Sequence, residues 1–146
     1  MYKIMLADDE GIVIDSLNYI IEKNFGEECL VKFAKTGRKV IELAESFRPD
    51  IAIMDIQMPG INGIDAMKEI REFNKSTIFI VMSAYDKFDY AREAINLGVL
   101  EYLNKPVEQS KIVEVLKRAM RNIDEMNIDF NNLEGRELTI DEVLQG

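Results

Sequence analysis

Asp8, Asp9, Asp55, Ser83 and Lys105 lie far apart in the chain, yet each sits at or just past the end of a short apolar run. Ile4-Met5-Leu6-Ala7 leads into Asp8-Asp9-Glu10, and Ile51-Ala52-Ile53-Met54 leads into Asp55. Ile78 to Met82 leads into Ser83-Ala84, and Val99 to Leu103 into Asn104-Lys105-Pro106. If these runs are parallel strands of one sheet, their carboxyl ends share an edge, and ligands bind at that edge. Three carboxylates then converge on one hydroxyl and one ammonium. Like charges packed so closely need protons or a cation to neutralise them. Oxygen donors without histidine or cysteine select a hard ion, and magnesium is the natural candidate. A carboxylate beside magnesium and a lysine is arranged to attack a phosphoryl group and to hold the resulting acyl phosphate. The ion and Lys105 would offset charge growing on the equatorial oxygens, and Ser83 adds a donor.

The elements needed to bring these groups together are legible. A further run, Leu30-Val31-Lys32-Phe33-Ala34, makes five candidate strands. The runs at 51–54 and 78–82 are apolar at every position, as strands covered on both faces must be. Between the runs lie stretches of helical period: Val13, Leu17, Ile20 and Ile21; Val40, Leu43, Ala44 and Phe47; Ile64, Met67 and Ile70; Phe88, Ala91 and Ile95. The fifth stripe, Ile112, Val115, Leu116, Ala119, Met120 and Ile123, is the clearest. Thr36, Asn62 and Asp86 stand where helices should start, and Gly26 and Gly98 where two should stop. Strands alternating with helices give a doubly wound α/β domain with a parallel sheet over residues 1–123. Residues 124–146 are acidic, rich in Asn and weakly periodic, and read as a linker or tail leading toward an output domain. Within it Leu138 to Leu144 has the pattern of one or two further helical turns, with Thr139 as cap.

Composition narrows the chemistry. The 146 residues are 47% hydrophobic, enough for one ordinary core, and no run approaches the roughly 20 apolar residues a membrane span needs. The first apolar run meets three acids within ten residues, unlike a secretory signal, so the expected compartment is the cytoplasm. With no histidine and a single cysteine, Cys29, catalysis by histidine, Cys/His zinc sites and internal disulfides are excluded. A net charge of -9 makes the chain a poor direct binder of nucleic acid.

In combination, Asp8-Asp9, Asp55-Ile-Gln-Met-Pro-Gly, Ser83-Ala84, Tyr102 and Lys105-Pro106 resemble the receiver domains of two-component response regulators over about residues 2–123. The resemblance implies a flavodoxin-like sheet of strand order 2-1-3-4-5 with five helices. It implies that Asp55 accepts phosphate from a sensor histidine kinase, the domain catalysing only its own magnesium-dependent phosphorylation and dephosphorylation. Asp9, Asp55 and the main-chain carbonyl of Gln57 would ligate Mg2+ directly, and Asp8 through water. Lys105 would pair with the phosphate, Ser83 and Tyr102 would form the switch, and the Lys105–Pro106 bond would be cis. The stretch from Ser83 to Ile95 also looks like receivers joined to AraC-type DNA-binding domains, which implies transcription regulation through an output domain outside this chain. A stand-alone interaction module and a receiver on an enzymatic output are the competing readings. Homodimerisation through the fourth helix, fifth strand and fifth helix stays open. Lys111, Glu114, Lys117, Arg118 and Arg121 could pair between copies, but a solvated face explains them equally well.

Each residue also has an ordinary reading. Asp8 and Asp9 suit the cap of the first helix, Lys105 a surface lysine, Ser83 a turn, and Tyr102 half-buried packing. Met54, Met58 and Met82 read as core filler, and Cys29 as a small hydrophobe. Tyr85, Phe88 and Tyr90 form an aromatic group beside the switch, with packing and a partner surface as equal alternatives. Rival folds fail on the same residues. Asp8-Asp9-Glu10 would repel a flavin phosphate, and no Gly-x-Gly-x-x-Gly loop is present. A haloacid-dehalogenase-type phosphatase wants a second Asp two residues after the nucleophile, where this chain has Gln57.

Overall fold

The structure is a computed structural model that describes residues 1–84 and 88–135, with Phe88 and the last seven residues as backbone only. Five strands, β1 (Tyr2–Ala7), β2 (Cys29–Ala34), β3 (Ile51–Met54), β4 (Ile78–Ser83) and β5 (Glu101–Asn104), form one sheet. Their order is β2-β1-β3-β4-β5, and every neighbouring pair is parallel. Helices α1 (Gly11–Phe25), α2 (Gly37–Phe47), α3 (Gly63–Phe73), α4 (Phe88–Asn96) and α5 (Gln109–Gly135) cross between and beyond them. One core layer sets α1 and α5 against the sheet through Leu17, Ile21, Val115, Leu116 and Ala119. The other holds α2, α3 and α4 against the opposite face through Val40, Ala44, Met67, Ile70 and Ala94. The all-apolar β3 and β4 are covered on both sides, as their sequences require.

Local chemistry explains most boundaries. The Thr36 side chain accepts from the Lys39 N–H, and Asn62 from the Asp65 N–H, capping α2 and α3. Gly26 ends α1 at φ 55°, and Gly98 follows α4 at φ 73°, a left-handed conformation that glycine adopts without a Cβ clash. Met54, Met58 and Met82 are core residues. Cys29 is half-buried, and burial pushes its thiol up to about 11, so it stays protonated and unreactive at neutral pH.

Four expectations need correction. The α4 stripe is shifted in phase: Tyr90, Ala94 and Leu97 meet the core, while Ile95 is 71% exposed. A helix this short offers too few apolar residues to fix its phase by periodicity. The last strand starts at Glu101, not Val99, because the chain is still turning out of Gly98 and only the Leu100 N–H reaches Phe79. The change in composition after Ile123 is not a helix end. The helix α5 runs on to Gly135, and Asp124 is fixed to β1 by the Tyr2 hydroxyl at 2.7 Å. Neither Asp8 nor Asp9 caps α1; Glu10 occupies the cap position without a side-chain bond. The Asp86 helix start and the Tyr85 part of the aromatic group lie outside the described residues, as does the 138–144 segment with Thr139.

Candidate functional site

The convergence of the chemical residues follows from the sheet ladder continuing one step past the strands. The Asp55 N–H donates to Ala7 O at 2.8 Å and the Asp8 N–H to Ala34 O at 3.3 Å, so the first residues beyond β1 and β3 remain side by side. Past β5, the Lys105 N–H donates to Ser83 O at 3.0 Å. Lys105 therefore enters the edge beside Ser83, and its chain reaches across to the two acids. Its Nζ lies 2.8 Å from Asp8 Oδ2 and 2.9 Å from Asp55 Oδ2. The Lys105–Pro106 bond is cis, as the resemblance implied, although Pro106 is exposed rather than buried.

The remaining carboxylate oxygens are held from the backbone. Asp8 Oδ1 accepts from the Glu10 N–H at 2.9 Å, and Asp55 Oδ1 from the Gln57 N–H at 3.2 Å. Asp8 and Asp55 are 3% and 5% exposed, a severe desolvation for two carboxylates facing one ammonium. Burial pushes the Asp8 carboxyl up, and its bonds from Lys105 and Glu10 do not cancel that push. Burial alone would pull Lys105 down, but its hydrogen bonds to Asp8 and Asp55 outweigh it and hold the ammonium above its usual range. One cation thus serves two buried anions, and the pocket retains excess negative charge.

That excess has a location. Asp8, Asp9 and Glu10 can each offer a carboxylate oxygen such that all three lie within 4.8 Å of one another. Asp9 and Glu10 are exposed and Asp8 is buried, so the trio opens outward. An all-oxygen cluster of this kind fits a hard divalent cation. Glu10 is the member that sequence reasoning did not single out; its place directly after Asp8-Asp9 was the available signal. Gln57 is exposed beside Asp55, with its carbonyl on the same loop.

Ser83 is fully buried at the end of β4, in register with Asn104. Tyr102 is half-buried, in register with Val81, and packs against the core beneath α3 and α4. Sequence reasoning missed Gly63 entirely as a site residue. A Cβ there would collide with the carbonyl of Asp55, and the Gly63 N–H donates to Ile56 O at 2.7 Å. The start of α3 is thereby pressed against the acceptor loop, and only glycine permits that approach.

The family model for the response regulator receiver domain matches residues 4–117. The transcriptional regulatory protein YesN of Bacillus subtilis is 35% identical over 128 residues, which are 88% of this chain and 35% of that protein. HptR of Staphylococcus aureus, also a transcriptional regulatory protein, is 33% identical over 84% of this chain and 48% of its own length. The chain thus spans between a third and a half of these relatives. Among solved structures, the receiver domain of AraT, a response regulator from Geobacillus stearothermophilus, superposes with a TM-score of 0.78 at 33% identity, covering 86% of this chain and 98% of that one. A CheY-like receiver from Methanospirillum hungatei has a TM-score of 0.80 at 21% identity over 86% of this chain and 98% of its own, which shows the shared fold. By sheet order, by the pocket at the carboxyl edge and by these matches, the chain belongs to the receiver domains of two-component response regulators.

Proposed function

We propose that Asp55 is the phosphoryl acceptor of this receiver, taking its phosphate from a sensor histidine kinase in the cytoplasm. The observation that carries this reading is the Lys105 ammonium bridging Asp8 and Asp55 at 2.8 and 2.9 Å. A side-chain oxygen of Asp55 forms the new bond to phosphorus as the phosphorus–nitrogen bond of the donor phosphohistidine breaks, and the imidazole leaves with its proton. Lys105 then pairs with a phosphate oxygen, and Ser83 supplies a hydroxyl to another. Asp9, Asp55 and the Gln57 carbonyl would hold magnesium, with Asp8 acting through water; the bound ion supplies charge neutralisation for the phosphoryl oxygens. Hydrolysis of the acyl phosphate uses the same groups, so the domain catalyses only its own modification.

The added charge of about -2 recruits Ser83 and Lys105, and Tyr102 follows Ser83 inward. The face formed by α4, β5 and α5 moves with them. Inverting a 1:99 equilibrium takes about 5.5 kcal/mol, within reach of a few charged hydrogen bonds at roughly 1.5–3 kcal/mol each. The output is DNA binding through an AraC-type domain outside these residues, supported by the relatives named as transcriptional regulators. A homodimer on the α4-β5-α5 face would draw on Lys117 and Arg121, since Arg118 and Lys111 already face Glu101 at 2.6 and 3.6 Å.

Acetyl phosphate with magnesium should add one phosphoryl group to the intact chain, read by mass spectrometry. The Asp55→Asn chain should take up none and bind magnesium more weakly. Labelling of that variant at the wild-type level would overturn the reading.

A further inference from the structure

Between α3 and β4 the chain brings two cations, Arg71 and Lys75, to the amino edge of the sheet, in a chain of net charge -9. Arg71, near the end of α3, is half-buried, and its guanidinium lies 4.4 Å over the ring of Phe79. Its Nε donates to the carbonyl of Leu97, just past α4, at 3.3 Å, and one terminal nitrogen donates to the carbonyls of Lys75 and Thr77. The guanidinium is thus fixed in place. Its other terminal nitrogen has no hydrogen-bond partner among the described residues. Among them the Lys75 ammonium has no carboxylate within 4.0 Å, and the side-chain amide of Asn122 on α5 has no partner either.

These three residues line one cavity of about 520 Å3, whose apolar wall is Ile78, Val99, Leu100 and Met126. No carboxylate lines it, whereas four other surface cavities of about 370 to 550 Å3 each carry at least one. A cavity of this size, with a mainly apolar wall and a few unsatisfied polar groups, is the ordinary form of a small-ligand site. A guanidinium already held by its neighbours loses little freedom on pairing with an anion. Three carbonyl oxygens temper its field and the wall is apolar, which favours a singly charged carboxylate over a phosphate dianion.

We propose that this cavity binds a small carboxylate with an apolar body, its charge held at Arg71 and Lys75 and its body against Val99, Leu100 and Met126. The site lies at the opposite edge of the sheet from Asp55 and stands apart from the acceptor chemistry.

Backbone amide spectra of the full 146-residue chain, titrated with hexanoate at constant ionic strength, test this. Saturable shift changes should appear at Ser76, Val99, Leu100 and Asn122, with a Kd of about 1 mM, as suits a ligand of so few atoms. Acetate lacks the body and hexanol lacks the charge, so each should bind at least about tenfold more weakly. Arg71→Gln should abolish saturation. Lys75→Glu reverses a charge whose side chain bonds nothing among the described residues, so it should weaken hexanoate roughly tenfold while leaving urea unfolding unchanged. No saturable change at these four residues would overturn the proposal, as would equal affinity for hexanol or for inorganic phosphate. Changes centred on Lys105 would assign the anion to the acceptor edge and overturn it too. Wild-type affinity in Lys75→Glu would overturn the match of charge on which the proposal stands.

Discussion

The two edges of the sheet treat polar groups in opposite ways. At the amino edge they are neutral, or are charged and matched to neutral backbone groups. The buried Thr77 hydroxyl donates to Pro49 O at 2.9 Å, Asp50 accepts from the Lys3 N–H at 2.8 Å, and buried Asn74 accepts from Ser76. At the carboxyl edge, two carboxylates of comparable burial share one ammonium, with Asp9 and Glu10 close by. The amino edge is built to hold the sheet closed. The carboxyl edge keeps an electrostatic imbalance that a cation and a phosphoryl group can relieve, so stability there depends on occupancy and on pH.

Removing Lys105 should break this contrast most severely. Lys105→Met leaves Asp8 and Asp55 buried without a counter-charge and should cost about 2–3 kcal/mol in urea unfolding at neutral pH, somewhat under the range for fully enclosed pairs because the lysine keeps some water contact. The deficit should shrink in acid as the raised Asp8 carboxyl takes a proton. In the wild-type chain the Lys105 contribution is complete below its ordinary value of 10.5, and is lost as pH rises through its raised folded value.

Asp8→Asn sharpens the comparison by changing only one anion. The Asp8 carboxyl is raised in the fold, so its contribution is present below 3.8 and declines as pH rises through the folded value. Without metal, wild type should therefore lose stability relative to the variant from about pH 3.8 upward. Millimolar magnesium should reverse the sign at neutral pH by stabilising wild type more than the variant, as thermal melts would show. Parallel curves with no magnesium effect on either chain would place the excess charge elsewhere.

The smallest effect belongs to the amino edge. Tyr2→Phe removes the bond to Asp124 and should cost about 0.5 kcal/mol, the lower end for a solvent-accessible hydrogen bond. That bond lifts the Tyr2 phenol to about 12, so its contribution is intact below pH 10 and disappears as pH passes through about 12. Magnesium should not change this difference, in contrast to Asp8→Asn at the other edge.

Much of the site could be read directly because parallel strands turn sequence order into spatial order. A polar residue at or just past the end of such a run has to lie at the carboxyl edge, so Asp8, Asp55, Ser83 and Lys105 were identifiable once the runs were recognised. Caps such as Thr36 and Asn62 were legible because their chemistry is local. The phase of α4 was not, since Ala91 and Ala94 are equally apolar and packing alone selects between them. The course of α5 past Ile123 was also hidden, because acidic, Asn-rich composition resembles a linker while the Tyr2–Asp124 bond depends on residues far apart in the chain.

By itself, then, the order of residue types determined the class of fold, the edge that carries the chemistry and the oxygen-rich character of the pocket, since periodicity and strand-end position are local properties. Only the tertiary structure decided that one ammonium is shared by two buried acids, that Gly63 must lack a Cβ against Asp55, and that Arg71 holds the end of α4. Those are distances between residues that are not neighbours in the chain. No local pattern encodes them, because they are set by how closely the packed layers approach.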